Sequence, residues 1–147
     1  MRAVFGSTVF ALVGASLLAL PAEAQNSWQQ VVNGQLATHS NTLRANGFNP
    51  MAQAITGSLN DDGDMGTPVA LNAGMEYAIV GVCDQDCRDV DLRIFGPDGS
   101  MIAEDMALDD HPVLHFRAPA TGQYRLVIMM ANCTANPCYW GVQVFGK

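Results

Sequence analysis

Residues 83–99 combine the features that most restrict the fold of this 147-residue chain. The centre of the stretch alternates apolar and charged side chains: Val90, Asp91, Leu92, Arg93 and Ile94. This period of two predicts a β-strand with one buried face and one solvent-facing face. Cys83 and Cys87 enclose an acidic loop before the strand, and Pro97-Asp98-Gly99 is a turn signal after it. A chain organised around this unit is expected to fold by pairing strands.

Further runs of strand-like composition lie on both sides of this stretch. They cover residues 54–59, 76–83, 100–104, 113–118, 124–131 and 139–145. The run 76–83 is apolar on both faces from Ala78, which is typical of a central strand covered on both sides. Residues 60–66 are acidic and rich in glycine, and they are predicted to form a turn. About seven short strands with no helix between them predict an antiparallel β-sandwich.

Residues 26–46 predict one helix before the strands. Apolar residues recur there at steps of three and four: Trp28, Val31, Val32, Leu36 and Leu43. Asn46-Gly47 is a typical helix stop. We therefore divide the mature chain into an N-terminal helical segment, residues 25–52, and a β-sandwich domain, residues 53–147. The predicted fold class is mainly β.

Residues 1–24 predict a secretory signal peptide. Arg2 supplies the positive charge, residues 4–20 are apolar or small, and Pro21 ends the run. Small residues at Ala22 and Ala24 predict cleavage after Ala24. The apolar run is short for a membrane span. We expect a periplasmic or secreted protein with no membrane span after cleavage.

The net charge of −7 limits the classes of partner. The predicted signal segment contains one Arg and one Glu, so the mature chain keeps this charge. Binding to nucleic acid relies on clustered Lys and Arg, and binding to anionic lipid relies on basic residues near the surface. The composition therefore excludes nucleic acid and favours cationic partners or metal ions.

The four cysteines form two close pairs in sequence, Cys83 with Cys87 and Cys133 with Cys138. In an exported protein an even count predicts disulfides. We favour local bonds because each pair brackets a short polar loop between two strand-like runs. Crossed bonds between adjacent strands remain an alternative. A four-thiolate zinc site is disfavoured by the spacing and by an oxidising compartment.

Carboxylates are concentrated between residues 84 and 110, where nine acidic residues accompany only Arg88 and Arg93. Clustered oxygen ligands suit calcium, although the spacing is not that of an EF-hand. The candidate calcium ligands are Asp84, Asp86, Asp89 and Asp91. In the alternative that we favour, these aspartates accept hydrogen bonds from loop amides and pair with the two arginines. No other cofactor is predicted.

Catalytic motifs have little support in this sequence. No serine lies in a Gly-x-Ser-x-Gly elbow, and bridged cysteines are not nucleophiles. His111 and His115 would be about 13 Å apart in an extended strand, and His39 is predicted to be a packed or half-exposed helix residue. A glycosidase would need sugar-stacking aromatic residues, and the chain has two tryptophans. We therefore predict no catalytic residue and no enzyme.

Several motifs resemble the bacterial pre-peptidase C-terminal domain family. The similar segments are Gly57-Ser58-Leu59, residues 69–77, the Asp-x-Asp-Leu strand at 89–95, Gly99, residues 112–114, and the Gly-x-Tyr strand at 122–128. The resemblance covers roughly residues 57–145 and implies a jelly-roll-like β-sandwich, a module usually appended to secreted peptidases. The chain departs from the family pattern by carrying no peptidase domain and by its two cysteine pairs.

These observations predict an exported, non-catalytic β-sandwich module with a binding, structural or accessory role, associated with secreted peptidases. Its partner is predicted to be a protein or polysaccharide that the sequence does not identify. The alternatives are a small calcium-dependent binding protein, a protease inhibitor, and a small hydrolase whose site is built from loops.

Overall fold

The structure is a computed structural model that describes residues 27–147. The predicted signal peptide and its cleavage after Ala24 lie outside the described residues. Within residues 27–147, no helix is both long enough and apolar enough to cross a membrane.

One helix and nine strands follow one another along the described chain. They are α1 (Ser27–Ala45), β1 (Asn49–Pro50), β2 (Ile55–Leu59), β3 (Gly63–Leu71), β4 (Glu76–Cys83), β5 (Cys87–Phe95), β6 (Met101–Asp105), β7 (Val113–Arg117), β8 (Gly122–Cys133) and β9 (Cys138–Gly146). The helix agrees with the predicted residues 26–46 to within one residue at each end. The strand β4 has the predicted bounds.

The strands form two antiparallel sheets. Sheet A has the order β1-β9-β4-β7, with β2 also pairing with β9. Sheet B has the order β3-β8-β5-β6. The predicted fold class, a mainly β antiparallel sandwich preceded by one helix, is confirmed. The strand β1 belongs to sheet A and precedes residue 53, where we had placed the start of the sandwich.

The main core lies between the two sheets, where alternate side chains of the strands meet. It contains large side chains that are almost fully buried, among them Tyr77, Leu92, Tyr124, Ile128 and Trp140. Burial of such side chains is worth roughly 1.5–3 kcal/mol each relative to exposure. This interior contact fixes which face of each strand points inward.

A second core lies between α1 and the outer face of sheet A. Val32 and Leu36 of the helix are buried against Val80 and Phe145 of the sheet. Gly141 permits this close approach, because a Cβ atom there would lie 2.5 Å from Cγ1 of Val32. The strand β4 is therefore covered by sheet B on one face and by the helix on the other, as its doubly apolar sequence predicts.

Two local predictions were wrong. Residues 60–66 are not a turn throughout, because β3 begins at Gly63 and pairs with β8 for nine residues. Asp91 does not face solvent, since only 4% of its surface is exposed. The strand β5 lies inside sheet B, between β8 and β6, so side chains of its neighbours cover the outer face as well.

Candidate functional site

The outer face of sheet B carries a groove of about 560 Å³, which we call the sheet B groove. Its lining comes from β3 and the residue before it, from β5 and β8, and from the residue after β6. The residues that define its chemistry are Asp64, Asp91, Arg93, Phe95, Met106, Arg125, Val127 and Met129.

Strand register places these side chains in rows across the sheet. Met129 of β8 pairs with Asp91 on one side and with Asp64 on the other. In the next row Arg93 pairs with Val127 and with Glu104 of β6. In the third row Arg125 lies opposite Phe95. Paired residues share a face of the sheet, so the acidic row forms one end of the groove and the arginines form the other.

The arginines of the groove already have partners. Arg93 Nε donates to Glu104 Oε2 at 3.0 Å. The guanidinium of Arg125 lies 4.4 Å from the centroid of the Phe95 ring, a cation–π contact. Neither arginine forms an ion pair with Asp91 in the described chain.

Asp91 is the unusual residue of the groove. It is almost fully buried, and its Oδ1 atom has no hydrogen-bond partner within residues 27–147. Burial and, to a lesser extent, the carboxylates of Asp89, Asp105 and Asp109 raise its pKa to about 6, against the opposing charge of Arg93. A buried carboxylate without a partner is energetically costly, so a cation or hydrogen-bond donor that reached this atom would stabilise it.

Apolar side chains surround this carboxylate. Val127 is buried, Met129 is half-buried, and Met106 is exposed at 41%. Methionine side chains are flexible and polarisable, and they adapt to different apolar partners. The groove therefore combines an adaptable apolar wall with an acidic end, where Asp64 accompanies the buried Asp91.

The four aspartates predicted as calcium ligands are divided by the fold. Asp84 and Asp86 lie in the β4–β5 loop, whereas Asp89 and Asp91 lie on β5. Asp84 Oδ2 accepts a hydrogen bond from the Tyr139 amide at 3.2 Å, and burial raises the pKa of Asp84 and of Asp89. Among the residues that the structure describes, no three His, Cys, Asp or Glu side chains form a metal-holding group. The calcium hypothesis therefore has no assembled site here and stays a prediction.

Hydrogen bonds from backbone amides, one part of the favoured alternative, occur at several other acidic residues, whereas neither Arg88 nor Arg93 forms an ion pair with the four aspartates in the described chain. The carboxylates of Asp98, Asp105 and Asp109 accept backbone amides two residues further along the chain. Asp61 Oδ1 accepts the Cys133 amide at 2.7 Å. Asp84, Asp89 and Asp91 differ from these residues, because the Oδ1 atom of each is buried without a hydrogen-bond partner in the described chain. Of these three, Asp91 is the one that lines the sheet B groove.

The two disulfides join Cys83 to Cys87 and Cys133 to Cys138, the local pairing favoured from the sequence. Each bond connects a strand of sheet A to a strand of sheet B across the loop between them. Cys87 and Cys133 are also register partners on β5 and β8, so both bonds lie at the same end of the sandwich. They fasten the two sheets together beside the β4–β5 loop.

The structure brings together two histidines that sequence reasoning treated separately. The ring centroids of His39 on α1 and His111 before β7 are 6.2 Å apart. His115, by contrast, lies on β7 and contacts the edge of Phe48. No sequence signal linked His39 to His111, because the contact depends on how the helix docks on sheet A.

No family model matches the chain, and no curated protein matches it. Among solved structures, the chain is similar to PliG of Aeromonas hydrophila, a periplasmic inhibitor of g-type lysozyme. The TM-score is 0.45 at 13% identity, over 63% of this chain and 84% of PliG.

Proposed function

We propose that this chain is an exported, non-catalytic binding module, similar to a free-standing pre-peptidase C-terminal domain. Its sheet B groove binds a basic side chain presented by a protein partner. The observation that carries the proposal is the buried carboxylate of Asp91, whose Oδ1 atom has no partner in the described chain.

The chemistry of the groove selects a lysine or arginine side chain. Such a side chain has an apolar stem and a charged end. The stem would pack against Met106, Val127 and Met129, and the ammonium or guanidinium group would donate to Asp91. A charge-assisted hydrogen bond of this kind is roughly twice as strong as a neutral one. A neutral polysaccharide offers no counter-charge, so a basic protein is the better partner.

Two further observations support the proposal. The charge of −7 favours encounter with a basic protein. The two disulfides support export, because such bonds persist in oxidising compartments. The family resemblance also implies an association with secreted peptidases, which a pull-down from the native periplasm or medium would test.

A peptide titration tests the groove directly. The probe is a tri-lysine peptide capped at both ends, with capped tri-glutamate as the control, followed by two-dimensional NMR of the labelled protein. We expect tri-lysine to shift the amide signals of Asp91 and Met129. The dissociation constant for the Asp91→Asn variant should be about tenfold or more higher, as expected for loss of a charged hydrogen bond.

Asp86→Asn is the matched control, since it removes the same charge from an exposed side chain in the β4–β5 loop. It should bind tri-lysine like the wild type, apart from a small effect of net charge. Equal loss of affinity in both variants would mean that tri-lysine binds through the overall negative charge of the protein and not at Asp91. Unchanged affinity in Asp91→Asn would refute the proposed site.

A further inference from the structure

A second cleft lies on the opposite side of the molecule, between α1 and the segment before β7. It has a volume of about 310 Å³ and is lined by Gln35, Thr38, His39, Val82, Asp110 and His111. We call it the histidine cleft. It shares no residue with the sheet B groove.

We propose that the histidine cleft binds a divalent transition-metal ion such as Zn²⁺ through His39 and His111, with water completing the coordination. Imidazole nitrogen is a preferred ligand of zinc, copper and nickel ions. The two rings come from different elements, so a bound ion would fasten the N-terminal helix to the sandwich.

The contact between His111 and Asp110 sets the chemistry of the His111 ring. Nδ1 of His111 is hydrogen-bonded to a carboxylate oxygen of Asp110. An ionised carboxylate only accepts hydrogen bonds, so Nδ1 carries the proton. In the neutral ring, Nε2 then has a free lone pair. Histidines that bind metals commonly have this arrangement, in which a carboxylate orients the ring from the side away from the metal.

His39 is also suited to be a ligand. Its ring is partly buried beside His111 in the cleft. Within residues 27–147 no hydrogen bond engages its ring nitrogens. On the same helix face, four residues earlier, Gln35 has a buried Oε1 atom without a partner. Gln35 lines the cleft, and this oxygen would reach an ion or its bound water once the side chain turns toward the cleft.

The separation of the rings permits a shared ion. Zinc–nitrogen bonds are about 2.0–2.1 Å, so two imidazoles on one ion have centroids roughly 5 Å apart at a tetrahedral angle and roughly 6 Å apart when opposite. The observed separation is 6.2 Å. The His111 side chain is 57% exposed, which leaves it room to adjust by the remaining distance.

The chain offers a clean test because it has three histidines and its four cysteines are all bridged. The experiment is calorimetric titration of the exported protein, purified without an affinity tag, with zinc chloride. We expect one zinc ion per chain. The dissociation constant for Asp110→Asn should rise about 10–100-fold, as for other residues that orient a ligand. It should rise further in His39→Ala and in His111→Ala.

His115→Ala is the matched control, since it removes an imidazole that lies outside the cleft. It should bind zinc like the wild type. NMR of the histidine side chains gives an independent readout, in which zinc should shift the ring nitrogen signals of His39 and His111 and leave those of His115 unchanged. Circular dichroism of each variant checks that it is folded.

Three results would overturn the proposal. The first is an absence of zinc binding by the wild-type protein. The second is binding that persists in both His39→Ala and His111→Ala, which would place the ion on the surface carboxylates. The third is loss of binding in His115→Ala.

Discussion

The stability of the protein should depend on pH through Asp91. Its pKa in the folded protein is about 6, against an ordinary value of 3.8. The folded state therefore binds this proton more tightly than the unfolded state does. The resulting stabilisation is fully present below about pH 4 and is lost as the pH rises through 6. At 1.36 kcal/mol for each pH unit, the loss is about 3 kcal/mol.

Asp91→Asn removes the charge while it keeps the size of the side chain. Above pH 7 the variant should be more stable than the wild type by roughly 1–3 kcal/mol, because the amide is still buried without a full set of hydrogen bonds. Near pH 4 the two proteins should have similar stability. Between pH 4 and 6 the unfolding free energy of the variant should depend less on pH than that of the wild type. The remaining dependence should come from Asp84 and Asp89, whose pKa values are also raised.

Urea denaturation at pH 4.5, 5.5, 6.5 and 7.5, followed by circular dichroism, measures these differences as free energies of unfolding. Asp86→Asn is the control, since this exposed carboxylate acts on the pH dependence only through its charge near Asp84 and should change it much less than Asp91→Asn does. The reasoning would be refuted if Asp91→Asn were less stable than the wild type at pH 7.5 and kept its full pH dependence. That result would mean that a partner already stabilises the ionised carboxylate.

The remaining predictions concern packing, hydrogen bonding, the disulfides and calcium. Gly141→Ala should destabilise the protein by about 1–3 kcal/mol in urea denaturation, because its Cβ would collide with Val32. Gly34→Ala should instead stabilise the protein by about 0.5–1 kcal/mol, because Gly34 lies in α1 where an added Cβ meets no other atom within 4 Å. Asp61→Ala should cost about 1–3 kcal/mol by the same measurement, since the Cys133 amide loses its acceptor. Reduction of the disulfides should lower stability by about 2 kcal/mol for each small loop and leave the circular dichroism spectrum of a folded protein; complete unfolding would contradict this. Millimolar calcium should leave the melting temperature equal to that in EGTA, and an increase of several degrees would instead favour the calcium hypothesis.

Local patterns in the sequence were sufficient for most of the secondary structure and for the fold class. The alternation at residues 90–94 and the doubly apolar run 76–83 identified two strands because side-chain direction in a strand has a period of two. The apolar spacing in residues 26–46 identified the helix for the equivalent reason, a period of 3.6. Cysteine spacing indicated the pairs that the structure joins.

Only the tertiary structure decided where the two candidate sites lie. Alternation indicates that one face of β5 is buried, but it does not show what covers the other face. Asp91 became a buried carboxylate because β8 and β6 flank its strand. His39 and His111 meet because the helix docks on sheet A through Val32, Leu36 and Gly141. Both environments are made by residues far apart in the chain, and the local periods of strands and helices carry no information about such contacts.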